Sequence, residues 1–120
     1  MHDDVVAAVL RACERADARQ LTHLFAPSIS LVADGGARVT AAVEPVQGAD
    51  VTAHLLLETI AAQPGVALAT RSVNGQPAIV LVCDATVTGV ICLDTRGDLV
   101  HSIWLILNPD KLFAINRSRR

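Results

Sequence analysis

Apolar residues near the start of the chain recur at the spacing of one helix face: Val6, Val9, Leu10 and Cys13. This period predicts a first helix that begins near Asp3 or Asp4, either of which can cap its free backbone N–H groups. Asp17 can cap a second, short helix. That helix ends before Pro27, because the residue preceding a proline disfavours helical backbone. The chain is therefore expected to open with two helices.

The period changes to two from Ser28, which predicts a strand that ends at the turn signal Asp34-Gly35-Gly36. A returning strand is predicted over residues 39–43. Asp50 then fits the N-cap of a third helix over residues 51–62. The apolar face of this helix consists of four residues at helical spacing: Ala53, Leu56, Leu57 and Ile60.

Four further strands are predicted, separated only by short turns: 66–73, 78–84, 86–93 and 99–107. The dipeptide Asn74-Gly75 is typical of a hairpin turn, because both residues tolerate positive φ. Connections this short cannot contain crossover helices, so these strands should pair antiparallel. The element order predicts one α+β domain over residues 1–120, with a curved, mostly antiparallel sheet packed against about three helices from the N-terminal half.

Composition narrows the classes of function. Hydrophobic residues make up 52% of the 120 residues, far more than in disordered segments, which indicates a folded domain. No apolar run approaches the roughly 18 residues of a membrane-spanning helix. The acidic start Met1-His2-Asp3-Asp4 lacks the form of a signal peptide. We therefore expect a cytoplasmic protein without a membrane partner.

Aromatic side chains are few, and tyrosine is absent: the three are Phe25, Trp104 and Phe113. Modules that bind nucleic acids stack bases on aromatic platforms, and a net charge of −2 does not favour a phosphate backbone. No direct nucleic-acid contact is therefore expected. The three cysteines contain no C-x-x-C pair, and no histidine pair has ligand spacing, so neither a metal nor another cofactor is predicted.

Four short segments carry a resemblance to a known family: residues 31–38, 45–50, 73–78 and 108–112. They resemble four segments of the SnoaL-like domain at the C-terminus of certain extracytoplasmic-function sigma factors, within the nuclear transport factor 2-like superfamily. In order, these segments are the glycine-rich turn, the entry to the long helix, the hairpin and the C-terminal signature of that domain. Ala37 and Arg38 stand where the family often has glycine and lysine.

The resemblance implies a cone-shaped fold and a regulatory, non-catalytic role. The implied partner is a sigma-factor core or another RNA polymerase-associated protein, in cis or in trans, and a small apolar ligand could share this role. Because no sigma region precedes residue 3, we expect either a free-standing relative or an excised domain. The docking candidates lie in two family-like segments: Asp34, Gly35, Gly36, Arg38, Asn108, Asp110 and Lys111.

An enzymatic function is the alternative. Enzymes of this superfamily use the open end of the cone, and their isomerase and dehydratase sites need a Tyr hydroxyl that this chain lacks. A carboxylate or an imidazole could still serve an isomerase, polyketide cyclase-like or hydrolase-like reaction. The candidate cavity residues are His54, Asp84, His101 and Trp104.

Each of these candidates also has a structural interpretation. His54 stacks with Asp50 and Glu58 on one helix face, where it could simply be solvated. On the last predicted strand, either the set containing His101 or the set containing Trp104 faces inward, and the pattern leaves both registers open. An exposed apolar sheet face would instead favour a purely structural homodimer.

Overall fold

The computed structural model describes residues 2–34, 45–73, 75–107 and 112–113. In this part of the chain the helices are α1 (His2–Glu14), α2 (Ala18–Leu24) and α3 (Ala49–Ala61). The strands are β1 (Phe25–Asp34), β2 (Val46–Gln47), β3 (Ala67–Val73), β4 (Gln76–Cys83), β5 (Thr86–Arg96) and β6 (Leu99–Ile106). The strand predicted over residues 39–43 lies outside the described residues.

The six strands form one open sheet in the order β2-β1-β6-β5-β4-β3. β1 pairs with β6 in parallel, and every other neighbouring pair is antiparallel. The predicted α+β class with a mostly antiparallel sheet is therefore confirmed. This topology also orders the strand ends. The end of β1 lies beside the end of β6, at the same end of the sheet as the start of β3. The β3–β4 hairpin lies at the opposite end.

The second helix begins after a capping residue that the sequence predicts and ends directly before β1. The Asp17 carboxylate caps α2 by accepting a 3.0 Å hydrogen bond from the backbone N–H of Gln20. β1 begins directly at Phe25, three residues before the predicted start, and includes Pro27. A proline is tolerated there because the pairing of β1 with β6 is irregular between Phe25 and Ser30, where no ladder N–H is needed.

The start of α3 corrects one prediction. Its N-cap is Gly48 rather than Asp50, and Gly48 has a φ of 107°, which glycine adopts without the steric cost that a side chain would add. The Thr52 N–H donates to the Gly48 carbonyl at 3.0 Å and closes the first turn. Asp50 lies in that turn, where its charge still favours the positive end of the helix dipole.

The space between the helices and the sheet is filled by aliphatic side chains. In the middle of the sheet Ile79, Ile91 and Leu105 lie side by side across β4, β5 and β6, and each is at most 1% exposed. Val9 of α1 and Leu56 of α3 belong to the same buried cluster. Each such side chain contributes roughly 1.5–3 kcal/mol to folding, so this interior is the main stabilising core.

A β-bulge in β6 resolves the two registers that the sequence left open. Thr95 pairs with Val100 and Asp94 pairs with Ser102, so His101 is the extra residue on β6. An extra residue reverses the alternation of side chains along a strand. Val100 before the bulge and Ile103 after it therefore both lie in the buried cluster beneath the helices.

Candidate functional site

The interior of the cone offers no acid–base chemistry among the described residues. The buried set consists of aliphatic, cysteine and phenylalanine side chains together with one polar side chain, Thr52, which is 0% exposed. The Thr52 Oγ1 has no hydrogen-bond partner within the described part of the chain. A hydroxyl alone does not titrate near neutral pH, so it cannot act as the general acid or base that an isomerase requires.

A shallow hollow of about 350 Å³ opens at one rim of this interior, where the ends of α1 and α3 meet the start of β3. We call it the rim hollow. Its described lining is mostly apolar: Cys13, Glu14, Ile60, Val66, Ala67 and Leu68. Glu14 brings the single carboxylate in this described lining and is itself exposed. An ionised carboxylate accepts hydrogen bonds and repels a developing oxyanion, so it cannot stabilise one.

A polar contact joins α3 to the sheet near the same end. Thr88 is the extra residue of a bulge, since Leu81 pairs with Gly89 and Val82 pairs with Val87. Its hydroxyl makes a hydrogen bond to the side-chain oxygen of Gln63, just after α3. This contact fixes the end of α3 against β5 and adds no group that titrates near neutral pH.

The four candidate cavity residues are not brought together. His54 is exposed on α3, and its Nδ1 lies 2.8 Å from the Asp50 carbonyl oxygen, one turn earlier. Asp84 is exposed in the β4–β5 turn with a φ of 52°. His101 is half-buried at the bulge in β6. Trp104 is 46% exposed. None of the four is among the described residues that line the rim hollow.

Trp104 lies on the sheet face opposite the helices. It pairs with Cys92 on β5 and Val32 on β1, and Cys92 pairs with Ala78 on β4. Ala78 belongs to a second buried cluster, which is separate from the interior. The unbroken apolar run of β4 is the sequence signal for this arrangement, because a strand with one solvated face alternates instead.

Of the docking candidates, Asp34 lies within the described residues. It is the last residue of β1, pairs with Ile106 at the end of β6, and accepts a 2.7 Å hydrogen bond at its backbone carbonyl from the Leu107 N–H. The other six lie outside the described residues: Gly35, Gly36, Arg38, Asn108, Asp110 and Lys111. The two segments that contain them follow directly from these neighbouring strand ends.

The cysteine environments argue against nucleophilic chemistry. Burial raises the pKa of the Cys13 thiol from 9.0 to about 12, and the nearby Glu14 charge adds to this effect. Burial also raises the pKa of Cys92. Because the thiolate is the reactive form, both side chains are inert near neutral pH.

A second hollow, of about 440 Å³, lies at the β3–β4 hairpin, at the end of the sheet away from Asp34. We call it the hairpin hollow. Its described lining comes from α1, β3, the hairpin turn and β4: Val6, Ala7, Thr70, Arg71, Ser72, Gly75 and Pro77. The sequence pattern did not predict this hollow, because its walls are distant along the chain.

The fold is shared with solved structures of known classes, although no protein-family model and no curated protein matches the sequence. The extracytoplasmic function sigma factor SigJ of Mycobacterium tuberculosis matches 93% of the chain with a TM-score of 0.71 and 24% identity. The chain spans 44% of the length of SigJ. The resemblance to a SnoaL-like domain is therefore confirmed at the level of the fold.

Two further structures define the wider class. A steroid delta-isomerase from Pseudomonas aeruginosa has a TM-score of 0.63 and 16% identity, covering 99% of this chain and 90% of its own. A protein with a cystatin-like fold from Silicibacter pomeroyi has a TM-score of 0.63 and 17% identity, covering 98% and 82%. The cone-shaped α+β fold thus occurs in both a sigma factor and an enzyme, so function must be argued from the site.

No helix in the described part of the chain is both long and apolar enough to cross a membrane.

Proposed function

We propose that this protein is a non-catalytic regulatory domain of the SnoaL-like type, which modulates a sigma factor through protein contacts. The observation that carries this proposal is the interior: where an enzyme of this fold needs convergent acids and bases, the described side chains are aliphatic. A domain of this fold whose interior lacks convergent acids and bases is better suited to binding than to catalysis. The likeness to SigJ supports the choice of partner.

The proposed docking surface is at the shared end of β1 and β6. It contains the seven docking candidates, of which Asp34 provides the described anchor. Two neighbouring strands end together there and are joined by the hydrogen bond from the Leu107 N–H to the Asp34 carbonyl. The ends of paired strands commonly position the residues of a binding surface. Its charged side chains have both signs, which suits a partner surface of mixed charge.

A small apolar ligand would bind in the rim hollow under this proposal. Ile60, Val66 and Leu68 supply an apolar wall, and the hollow opens beside the packed interior. A ligand held there would contact both α3 and β3. Its binding would favour one arrangement of α3 against β3, at the same end of the sheet as the proposed docking surface.

Binding to purified sigma-factor cores tests the proposal. Calorimetric titration should detect a complex with at least one core, and Asp34→Ala together with Lys111→Ala should weaken it at least tenfold. Asp98→Ala is the matched control, because Asp98 is exposed in the β5–β6 turn at the opposite end of the sheet. Absence of binding to every core, or equal loss with the control, would contradict the proposed role.

A structural dimer is the second candidate, favoured by the exposure of Trp104 on an apolar sheet face. A second copy of the chain is the proposed occupant, because a large aromatic side chain at a two-fold contact can pack against its own equivalent. Light scattering over a wide concentration range tests this candidate. A monomer at the highest concentration would eliminate it without affecting the sigma-factor test.

A further inference from the structure

The hairpin hollow has the size and the mixed lining of a small-molecule site. Its volume of about 440 Å³ falls in the range of pockets that hold ligands. Val6 at its base is 1% exposed, and Pro77 forms a half-buried wall. None of the described lining residues carries a carboxylate. Apolar walls with a few polar groups are the usual composition of a binding site.

Two hydroxyl groups stand on the side of β3 that faces α1. Thr70 pairs with Ile79, which belongs to the buried cluster beneath α1, and Ser72 pairs with Pro77. Paired residues of neighbouring strands point to the same face of a sheet. Both residues are exposed, so both hydroxyls are available as hydrogen-bond donors to a ligand.

Arg71 supplies a positive charge and a buried hydrogen-bond donor. Its Nη1 is buried, and it has no hydrogen-bond partner in the described part of the chain. A guanidinium keeps its charge at any ordinary pH, and a buried donor without a partner is costly. Arg71 pairs with Ala78 of the second buried cluster, so its side chain leaves β3 on the face away from α1. Because β3 is the edge strand of the sheet, a long side chain can extend round this edge, and Arg71 is among the residues that line the hollow.

We propose that the hairpin hollow binds a small organic carboxylate. The guanidinium of Arg71 would accommodate the carboxylate in its two-pronged donor arrangement. Thr70 and Ser72 would donate further hydrogen bonds, and Val6 and Pro77 would contact the apolar body of the ligand. This site lies at the opposite end of the sheet from Asp34, so it does not depend on the proposed sigma-factor contact.

An NMR titration with sodium hexanoate tests the site, and 1-hexanol serves as the uncharged probe of the same chain length. Hexanoate should shift the backbone amide signals of Thr70, Ser72 and Gly75 in a saturable way at millimolar concentration. Hexanol should bind at least tenfold more weakly. This difference is what a charge-assisted contact with a carboxylate produces.

Two variants separate Arg71 from general electrostatics. Arg71→Gln should weaken hexanoate binding at least tenfold, whereas Arg96→Gln, at the exposed end of β5, should leave it unchanged. Arg71→Lys keeps the charge without the two-pronged donors and should bind with intermediate affinity. The folded amide spectrum of each variant serves as the check on its structure. If hexanoate causes no saturable shift at these amides, or if hexanol or Arg71→Gln behaves like the reference, the proposal is overturned.

Discussion

Replacing Ile91 with alanine tests the packed interior on which the proposed function depends. Ile91 is 0% exposed and lies between Ile79 and Leu105 in the middle of the sheet. Removing a large aliphatic side chain at such a site costs about 2–5 kcal/mol, through lost transfer energy and the cavity left behind. Domains typically have a total stability of about 5–15 kcal/mol. The free energy of unfolding should therefore fall by a substantial fraction.

Urea denaturation followed by circular dichroism measures this effect. Ile91→Val should cost only about 0.5–1.5 kcal/mol, because it removes one methyl group. The matched surface control is Val51→Ala on α3, which is 57% exposed and should change stability by no more than about 0.5 kcal/mol. If Ile91→Ala costs as little as Val51→Ala, the space beneath the helices is not packed. The interior of the cone would then have room for an active site.

Three further predictions follow from individual residues. The free energy of unfolding should fall as the pH rises from 9 to about 12, because the Cys13 thiol ionises near its ordinary pKa of 9.0 only in the unfolded chain. Denaturation measured at a series of pH values should show this fall, and Cys13→Ala should lessen it. Deleting His101 should destabilise the domain by roughly 1.5 kcal/mol or more in urea denaturation, because without the bulge either Val100 or Ile103 must leave the interior. Trp104 is 46% exposed, so acrylamide should quench its fluorescence strongly, and dimer formation should protect it.

Each of these three predictions can be contradicted by a specific result. An equal alkaline loss of stability in Cys13→Ala would show that other groups carry the pH dependence. His101→Ala is the control for the deletion, because it keeps the extra residue and with it the register. If both variants are equally stable, the bulge does not determine which side chains enter the interior. Quenching of Trp104 that does not change with protein concentration would remove the tryptophan face as a dimer contact.

Local sequence patterns predicted most of the helices and strands, because each element depends on burial of one face and on hydrogen bonds between residues close in the chain. The 3.6-residue period of α1 and the period-two pattern around Ile29 and Leu31 both follow from one buried face. The cap by Asp17 is equally local, since its carboxylate accepts a hydrogen bond from the backbone N–H of Gln20, three residues later. Gly48 was missed as the cap of α3, because Asp50 has the better side chain for that position. The positive φ at Gly48 depends on how the chain arrives from β2.

The candidate site was less predictable, since it depends on contacts between distant segments. The bulge at His101 changes which side chains of β6 face the interior. The sequence does not predict this change, because both alternating sets of residues along the strand are mostly apolar. The hairpin hollow needs α1 to lie across β3, and no periodicity states which helix covers which strand. Trp104 was a cavity candidate on one of the two registers that the sequence left open for the last strand, and the pairing of β6 places it on the face away from the helices.

The distribution of polar groups supports the proposed binding function over the enzymatic alternative. A catalytic site requires acids, bases and oxyanion donors to converge in a place shielded from water. The shielded interior described here holds Leu56, Ile79 and similar side chains, whereas Arg71, Asp34 and the hydroxyls of β3 lie near strand ends and edges. Groups in such positions meet partners or ligands that arrive from solvent. The proposed regulatory function would therefore use the periphery of the fold and leave its stable core intact.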